Sequence, residues 1–259
     1  MGEVYLWRGS AEQRARRTLS GKLGRFSYFD RQLDYPDWGS KQVLDFGGNE
    51  GNLLLDHNCA IRPEKYYCVD VISEALEEGR KRFPQAHWIH YNRYNCSFNP
   101  HGVMDLRIPD MGVEFDVILA YSVFTHTTRE EMHNLVRDLQ SRLAPGGVLA
   151  FTFIDPHYKP RLENYEGNNL RWRLERIRET NPNVNVDGLL ERSRCAVWCA
   201  VVNGSELYVN SNGSWRSDPQ SCMIYDVFYT VGFLRSEFPD ATIHPPLYGQ
   251  LQHCCIIRK

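Results

Sequence analysis

The sequence predicts an α/β chain built on a mostly parallel sheet, and three observations carry that expectation. Apolar runs alternate with amphipathic helical stretches from residue 41 to residue 155. Several of these runs are apolar throughout, as strands covered on both faces are. A glycine-rich turn, Gly47-Gly48-Asn49-Glu50-Gly51, follows the first of them. Strand–helix alternation of this kind implies right-handed βαβ units.

The elements follow in order. Gln42 to Phe46 reads as the first strand, and Asn49 to Cys59 as a helix with Leu53, Leu54 and Leu55 turned inward. Tyr66 to Val71 is the second strand. Ser73 reads as a side-chain N-cap, with Glu74, Glu77 and Glu78 early in the helix it opens. His87 to Tyr91 and Phe115 to Ala120 are the third and fourth strands. Thr128 and Glu131 form a capping-box pattern, followed by Met132, Leu135, Val136 and Leu139 at helical spacing. Ala144-Pro-Gly-Gly147 is expected to stop that helix, and Val148 to Ile154 to be the fifth strand. The pattern changes after Asp155-Pro156. Leu170 to Arg178 reads as a charged helix, and Val197–Val202 with Glu206–Val209 as a hairpin around Asn203-Gly204-Ser205. Thr230 to Phe238 returns to helix, and Ala241–His244 and Gln252–Ile257 close the chain as strands.

This order divides the chain into an N-terminal segment (1–40), a main domain (41–155 and 223–259) and an inserted cap (156–222). Residues 1–40 hold aromatic patches, GRFSYFD and DYPDW, which fit a helix packed on the sheet or a lid over a ligand; Arg14, Arg16 and Arg17 read as a solvated face. The totals exclude several classes. A net charge of -2 lacks the basic excess of a protein that wraps nucleic acid. No apolar run approaches a transmembrane length, and the N-terminus has neither a signal-peptide core nor a myristoylation pattern, so a cytoplasmic protein is expected. The eight cysteines show no paired zinc spacing, so buried thiols and no metal site are expected.

The chemistry concentrates at the first turn. Glycines there let the backbone bend sharply and approach a ligand. Asp70 ends the second strand, where a carboxylate can accept both hydroxyls of a ribose. The glycines at 47, 48 and 51 do not fit the spacing of a dinucleotide site. Asp45, just before the turn, suits a cationic amino group and repels a pyrophosphate. S-adenosylmethionine carries the ammonium and no phosphate, so it is the cofactor expected.

VLDFGGNEG (43–51) resembles the first motif of the class I S-adenosylmethionine-dependent methyltransferases, with Asn49 at the middle glycine. YCVDVISEAL (67–76) resembles the second motif, WIHYN (88–92) the third strand, FDVILAYSVFTHT (115–127) the fourth motif and LAPGGVLAFTF (143–153) the approach to strand five. FLRSEFPDATI and QHCCIIRK resemble the last helix and closing strand pair. The resemblance implies a Rossmann-like, mostly parallel seven-stranded sheet with a closing antiparallel strand and an α+β cap inserted after strand five. It implies S-adenosylmethionine contacts from Asp45, Gly47, Gly48, Asn49, Gly51 and Asp70. Val71 or Ile72 would lie against adenine, Asn92 or Tyr91 near the adenine amino group, and Ala120 and Tyr121 beside the methionine part.

Methyl transfer needs a base only when the acceptor must lose a proton. His126 and His157 are the candidates, with Asp155 and Tyr121 as orienting groups; His133 reads as solvated and His253 as structural. Asp155, Tyr158, Arg171 and Trp198 are the candidate substrate contacts. Arg171, Arg173, Arg176 and Arg178 also fit a solvated helix face balanced by Glu175 and Glu179, and Trp198, Tyr208 and Trp215 also fit a hairpin core. Tyr121-Ser122-Val123-Phe124 replaces the Asn/Asp-Pro-Pro-aromatic tetrapeptide of many enzymes that methylate amide or base nitrogen, which favours an oxygen of a small molecule. An NAD(P)-dependent oxidoreductase and a non-catalytic S-adenosylmethionine-binding scaffold are the alternatives.

Overall fold

The computed structural model describes residues 24–95, 98–162, 165–172, 175, 197–203, 206–210, 224–247 and 249–259, with backbone alone for 197–203, 206–210 and 224–226. Ten strands are formed among these residues: β1 (Val43–Phe46), β2 (Tyr66–Asp70), β3 (His87–His90), β4 (Phe115–Ala120), β5 (Leu143–Phe153), β6 (Val197–Asn203), β7 (Glu206–Asn210), β8 (Ile224–Tyr229), β9 (Thr242–His244) and β10 (His253–Arg258). The α-helices are α1 (Arg25–Gln32), α2 (Ser73–Arg82), α3 (Arg129–Ser141) and α4 (Val231–Glu237).

Seven strands form one sheet in the order β3-β2-β1-β4-β5-β10-β9. The first five run parallel, and β10 is antiparallel to both β5 and β9. This is the sheet expected, with its closing antiparallel pair. Strand residues alternate between two apolar layers. Leu44, Phe46, Ile118, Phe151 and Ile257 pack with Met132, Leu135, Val136 and Leu139 of α3 and with Phe233 and Leu234 of α4. Val43, Cys68, Val117, Leu119 and Ile256 pack with Phe26, Tyr28 and Phe29 of α1 and Leu76 of α2. The reversal of chain progression between β1 and β4 opens a crevice at the carboxyl ends of the strands, where open α/β sheets bind ligands.

Thr128 and Glu131 make the reciprocal capping box, and Thr230 caps α4 through Phe233 N. Three local expectations are corrected. Residues 49–59 form successive tight turns and no helix: Asn49 and Gly51 hold positive φ, and Asp56 Oδ1 accepts from Asn58 N in place of a helical bond. Leu53 is buried there, but Leu55 is exposed. Ser73 is the first residue of α2 and caps nothing, because Ile72 stands at the cap position. The 144–147 segment does not end α3; the helix stops at Ser141, β5 starts at Leu143, and a register shift absorbs these residues between the pairs Phe115–Leu143 and Val117–Val148.

The expected hairpin is present, β6 pairing with β7 through Asn203–Glu206. β8, which the periodicity does not announce, adds to the other edge of β6. It also reaches the main sheet, since Tyr229 N donates to Ile154 O and the Tyr229 hydroxyl to Thr127 O. Residues 169–172 are helical at the expected place. Arg14, Arg16, Arg17, Arg173, Arg176, Arg178, Glu179 and Trp215 lie outside the described residues, as do the side chains of Trp198 and Tyr208.

Candidate active site

The glycine-rich turn is held by packing and by a carboxylate. Gly47 lies at φ +75° and Gly51 at φ +83°, in the left-handed region. A Cβ on Gly47 would stand 2.4 Å from Val123 Cγ2, and one on Gly51 would stand 2.7 Å from Trp88 Cη2. Asn49 lies at φ +56°. Asparagine is among the residues other than glycine that tolerate this region, so the middle position of the motif keeps its backbone without a glycine.

Asp70, at the tip of β2, ties the turn to the sheet. Its Oδ2 accepts from Asn49 N at 2.7 Å and its Oδ1 from Ile72 N at 2.9 Å. A carboxylate has about four lone-pair sites, two on each oxygen. One amide on each oxygen leaves one acceptor site on each, the pair that a vicinal diol requires. Burial raises the Asp70 pKa against its backbone hydrogen bonds, that of Ile72 foremost, and the nearby Arg25 charge.

Asp45 is buried beneath the turn, with Tyr66 Oη donating to Oδ2 at 2.6 Å. A Cβ on Gly48 would stand 2.6 Å from its Cγ. Burial is the main cause of a pKa raised to about 7; Tyr66 and Arg25 oppose the rise, and Asp70 adds to it. Its influence on a ligand is therefore through space and through the turn.

Arg25 opens α1 and reaches this region from outside the motif. Its guanidinium carbon lies 5.2 Å from the centroid of Tyr121, directly after β4. Tyr28 and Phe29 meet the same ring edge-on at 5.6 and 6.0 Å. Ser27 N and Oγ donate to the Asp56 carboxylate at 2.8 and 3.1 Å, which fastens α1 to the turns after Gly51. Of the two readings of the aromatic segment, helix packed on the sheet and lid, α1 meets the first, and its N-terminal end borders the crevice.

The candidate residues fall into two groups. Asp45, Gly47, Gly48, Asn49, Gly51, Asp70, Val71, Ile72, Ala120 and Tyr121 gather at the tips of β1, β2 and β4. Ala120 and Ile72 are buried and Val71 is half-buried; Asn92 is exposed at the rim and accepts from Asn99. The second group lies around the end of β5. Asp155 is buried, and its carboxylate accepts from His157 N at 2.8 Å and from Val231 N at 2.9 Å, so it joins β5 to α4. His157 is exposed, and Tyr158 meets His253 edge-on at 5.0 Å. Arg171 pairs with Glu175 at 3.5 Å, the balanced helix face that the sequence also allowed. His126 ends a short 3-10 turn with its ring edge-on to Phe98 at 5.0 Å. His133 is not solvated as expected; it is half-buried, bonded to Glu237 and beside Phe238. His253 is buried against Phe153, as expected, and burial lowers its pKa to about 4.

Sequence reasoning missed a neutral network at the ends of β4 and β5. Ser122 lies at φ +60°, its N donates to Thr152 Oγ1 at 2.7 Å, and its Oγ bonds Thr125 Oγ1 at 3.0 Å. Gln252 joins them by donating to Ser122 Oγ at 3.1 Å and accepting from Thr152 Oγ1. The polar spacing around Ser122 and Thr152 was the only local signal.

Residues 44–149 match the family model described as a methyltransferase domain. The matched stretch runs from β1 into β5 and contains the glycine-rich turn and Asp70. Solved structures share this methyltransferase fold at low identity. An S-adenosylmethionine-dependent methyltransferase from Clostridium acetobutylicum is 10% identical, with a TM-score of 0.52 over 95% of this chain and 96% of that one. S-adenosylmethionine-bound CalS10, an amino pentose methyltransferase from Micromonospora echinaspora, is 14% identical, with a TM-score of 0.53 over 98% and 99%. The glycopeptide N-methyltransferase MtfA, complexed with S-adenosylmethionine, is 10% identical, with a TM-score of 0.50 over 90% and 92%. Among the described residues no helix is long and apolar enough to cross a membrane.

Proposed function

We propose that this methyltransferase moves the methyl group of S-adenosylmethionine to a small molecule, at an oxygen nucleophile. The observation that carries the cofactor is Asp70: both carboxylate oxygens are fixed by turn amides, and each keeps an acceptor site for a ribose hydroxyl. Asn49 and the glycines at 47 and 51 supply the close backbone, and Val71 and Ile72 border the adenine side. The glycine spacing at 47, 48 and 51 disfavours the dinucleotide alternative. When bound, S-adenosylmethionine supplies a methyl group already activated on a sulfonium. The chain's own residues then have to position the acceptor and exclude water.

Acceptor recognition is assigned to the cap at 156–222, with His157, Tyr158, Arg171 and Trp198 as its contacts. Asp155 holds that junction through its two amides. His126 and His157 are the candidate bases for an acceptor that must lose a proton. CalS10, an amino pentose methyltransferase, and MtfA, a glycopeptide N-methyltransferase, support a small acceptor with sugar-like character. The net charge of -2 supports an acceptor other than nucleic acid, and the free thiols of Cys59, Cys68, Cys254 and Cys255 fit a cytoplasmic enzyme.

Calorimetry of the full chain with S-adenosylmethionine and with NAD tests the cofactor. Binding of the first alone is expected; binding of NAD alone, or of neither, overturns the reading. Labelled methyl release with a panel of sugars, phenols, carboxylic acids and amines tests the acceptor. Turnover of amines alone replaces the oxygen assignment, and binding without turnover of any acceptor favours the scaffold.

A further inference from the structure

The crevice between β1, β2 and β4 is rich in negative charge. Asp45 and Asp70 stand at its floor, and S-adenosylmethionine brings a carboxylate of its own. That group needs a positive partner in a place where the strand tips supply two acids. Arg25 answers this from α1. Its guanidinium lies over the face of Tyr121, beside the strand tip assigned to the methionine part of the cofactor. Its position is fixed from both sides. Tyr28 and Phe29, one helical turn further along α1, hold the Tyr121 ring by its edges. Asp56 holds the backbone at Ser27, and a side chain on Gly24 would collide with that carboxylate at 2.0 Å, so α1 enters at one angle. Arg25 is half-buried, and the electrostatic influence of its charge reaches both Asp45 and Asp70.

Resting on the proposed cofactor, we infer that Arg25 is the counter-charge for the α-carboxylate of S-adenosylmethionine, and that α1 thereby selects ligands carrying an intact aminoacyl group. An arginine fork held over an aromatic face can offer two parallel hydrogen bonds to a carboxylate. The same guanidinium offsets the two acids when no cofactor is bound, so the chain does not hold them without a cation.

The test is a cycle between protein and ligand. The full chain and its Arg25→Gln and Arg25→Lys variants are titrated by calorimetry with S-adenosylmethionine and with decarboxylated S-adenosylmethionine. The second ligand keeps the nucleoside, the sulfonium and the amine and lacks only the carboxylate. The native chain is expected to prefer the carboxylated ligand by about tenfold or more, the scale of one charge-assisted contact. Arg25→Gln removes that preference by weakening the carboxylated ligand alone, and Arg25→Lys restores part of it. Equal weakening of both ligands overturns the inference, because Arg25 then only shapes the site. Tighter binding of both in Arg25→Gln also overturns it, because Arg25 is then a cation that the ligand displaces. Failure of the native chain to bind either ligand falls on the proposed cofactor itself. Unfolding midpoints of the three proteins separate a folding defect from lost recognition, and Arg25→Lys supplies the readout if Arg25→Gln does not fold.

Discussion

The two halves of the sheet's carboxyl edge are built from opposite chemistry. At β1 and β2 two buried carboxylates, Asp45 and Asp70, are raised in pKa chiefly by their own burial. At β4, β5 and β10 the polar atoms of Ser122, Thr125, Thr152 and Gln252 are neutral and bond one another. Burying a charge without a partner is expensive, whereas a satisfied neutral network is cheap. The first group therefore calls for a cation, which α1 partly supplies, whereas the four-residue network in the other half is satisfied by its own members. The first is organised to hold a charged ligand, the second to hold a shape.

The largest expected effect is in the pH dependence of stability, where the halves oppose each other. The Asp45 pKa is raised from 3.8 to about 7, so the folded chain binds more protons than the unfolded chain between these values. Its contribution falls as pH rises from about 4 to 7, by at most about 4 kcal/mol. His253, at the start of β10, is lowered from 6.5 to about 4, so the unfolded chain binds more protons there. Its contribution rises with pH over that window, by about 3 kcal/mol at most. The two oppose each other in the native chain from pH 4 to 6.5. In urea unfolding, Asp45→Asn should gain stability relative to the native chain as pH rises across this window, and His253→Gln should lose it. Parallel profiles for the two variants would break the comparison.

A smaller effect separates the two kinds of left-handed backbone. Gly51→Ala combines φ +83° with a Cβ driven to 2.7 Å from the Trp88 ring. Trp88 is itself fixed by its indole N–H, which donates to Phe83 O at 3.1 Å, so it cannot retreat freely. A loss of about 3 kcal/mol is expected in urea unfolding, from backbone strain and overpacking together. A loss under about 1 kcal/mol would mean that the turn is not pinned by this ring.

Asp70→Ala sharpens the comparison through binding. S-adenosylmethionine affinity should fall about a hundredfold by calorimetry, near 2.7 kcal/mol. Stability should change by under about 2 kcal/mol, because losing two amide bonds is offset by removing a buried charge. Thr152→Val in the neutral half should leave affinity within about threefold while destabilising the fold by about 1 kcal/mol. Equal losses of affinity in the two variants would erase the distinction between a ligand half and a structural half.

The charged half was the more legible in the sequence. Glycine and asparagine at the turn announce left-handed backbone, and a carboxylate at a strand tip announces a ligand. The sheet was legible because strands covered on both faces are apolar throughout. Gly51 and Asn49 mark the turn and equally forbid the helix drawn after it, a consequence that the apolar Leu53-Leu54-Leu55 run concealed. Arg25 carries no local signal, since its meaning comes from a helix that crosses back to the first strands. The neutral half was nearly silent, because hydroxyls and amides distant in sequence become a network only once β10 lies beside β5.

The smallest expected effect concerns Ser122, the left-handed residue of the neutral half. Glycine would relieve its φ of +60°, a gain of about 1 kcal/mol. The same change deletes the hydroxyl that bonds Thr125 and accepts from Gln252, a loss of similar size. Ser122→Gly should therefore lie within about 0.5 kcal/mol of the native chain in urea unfolding. Ser122→Ala keeps the strain and loses the bonds, so it should be destabilised by about 1 kcal/mol. If Ser122→Gly is instead destabilised as much as Ser122→Ala, the hydroxyl outweighs the backbone. The left-handed turn after β4 would then persist because the network holds it there, as Asp70 holds Asn49 in the other half.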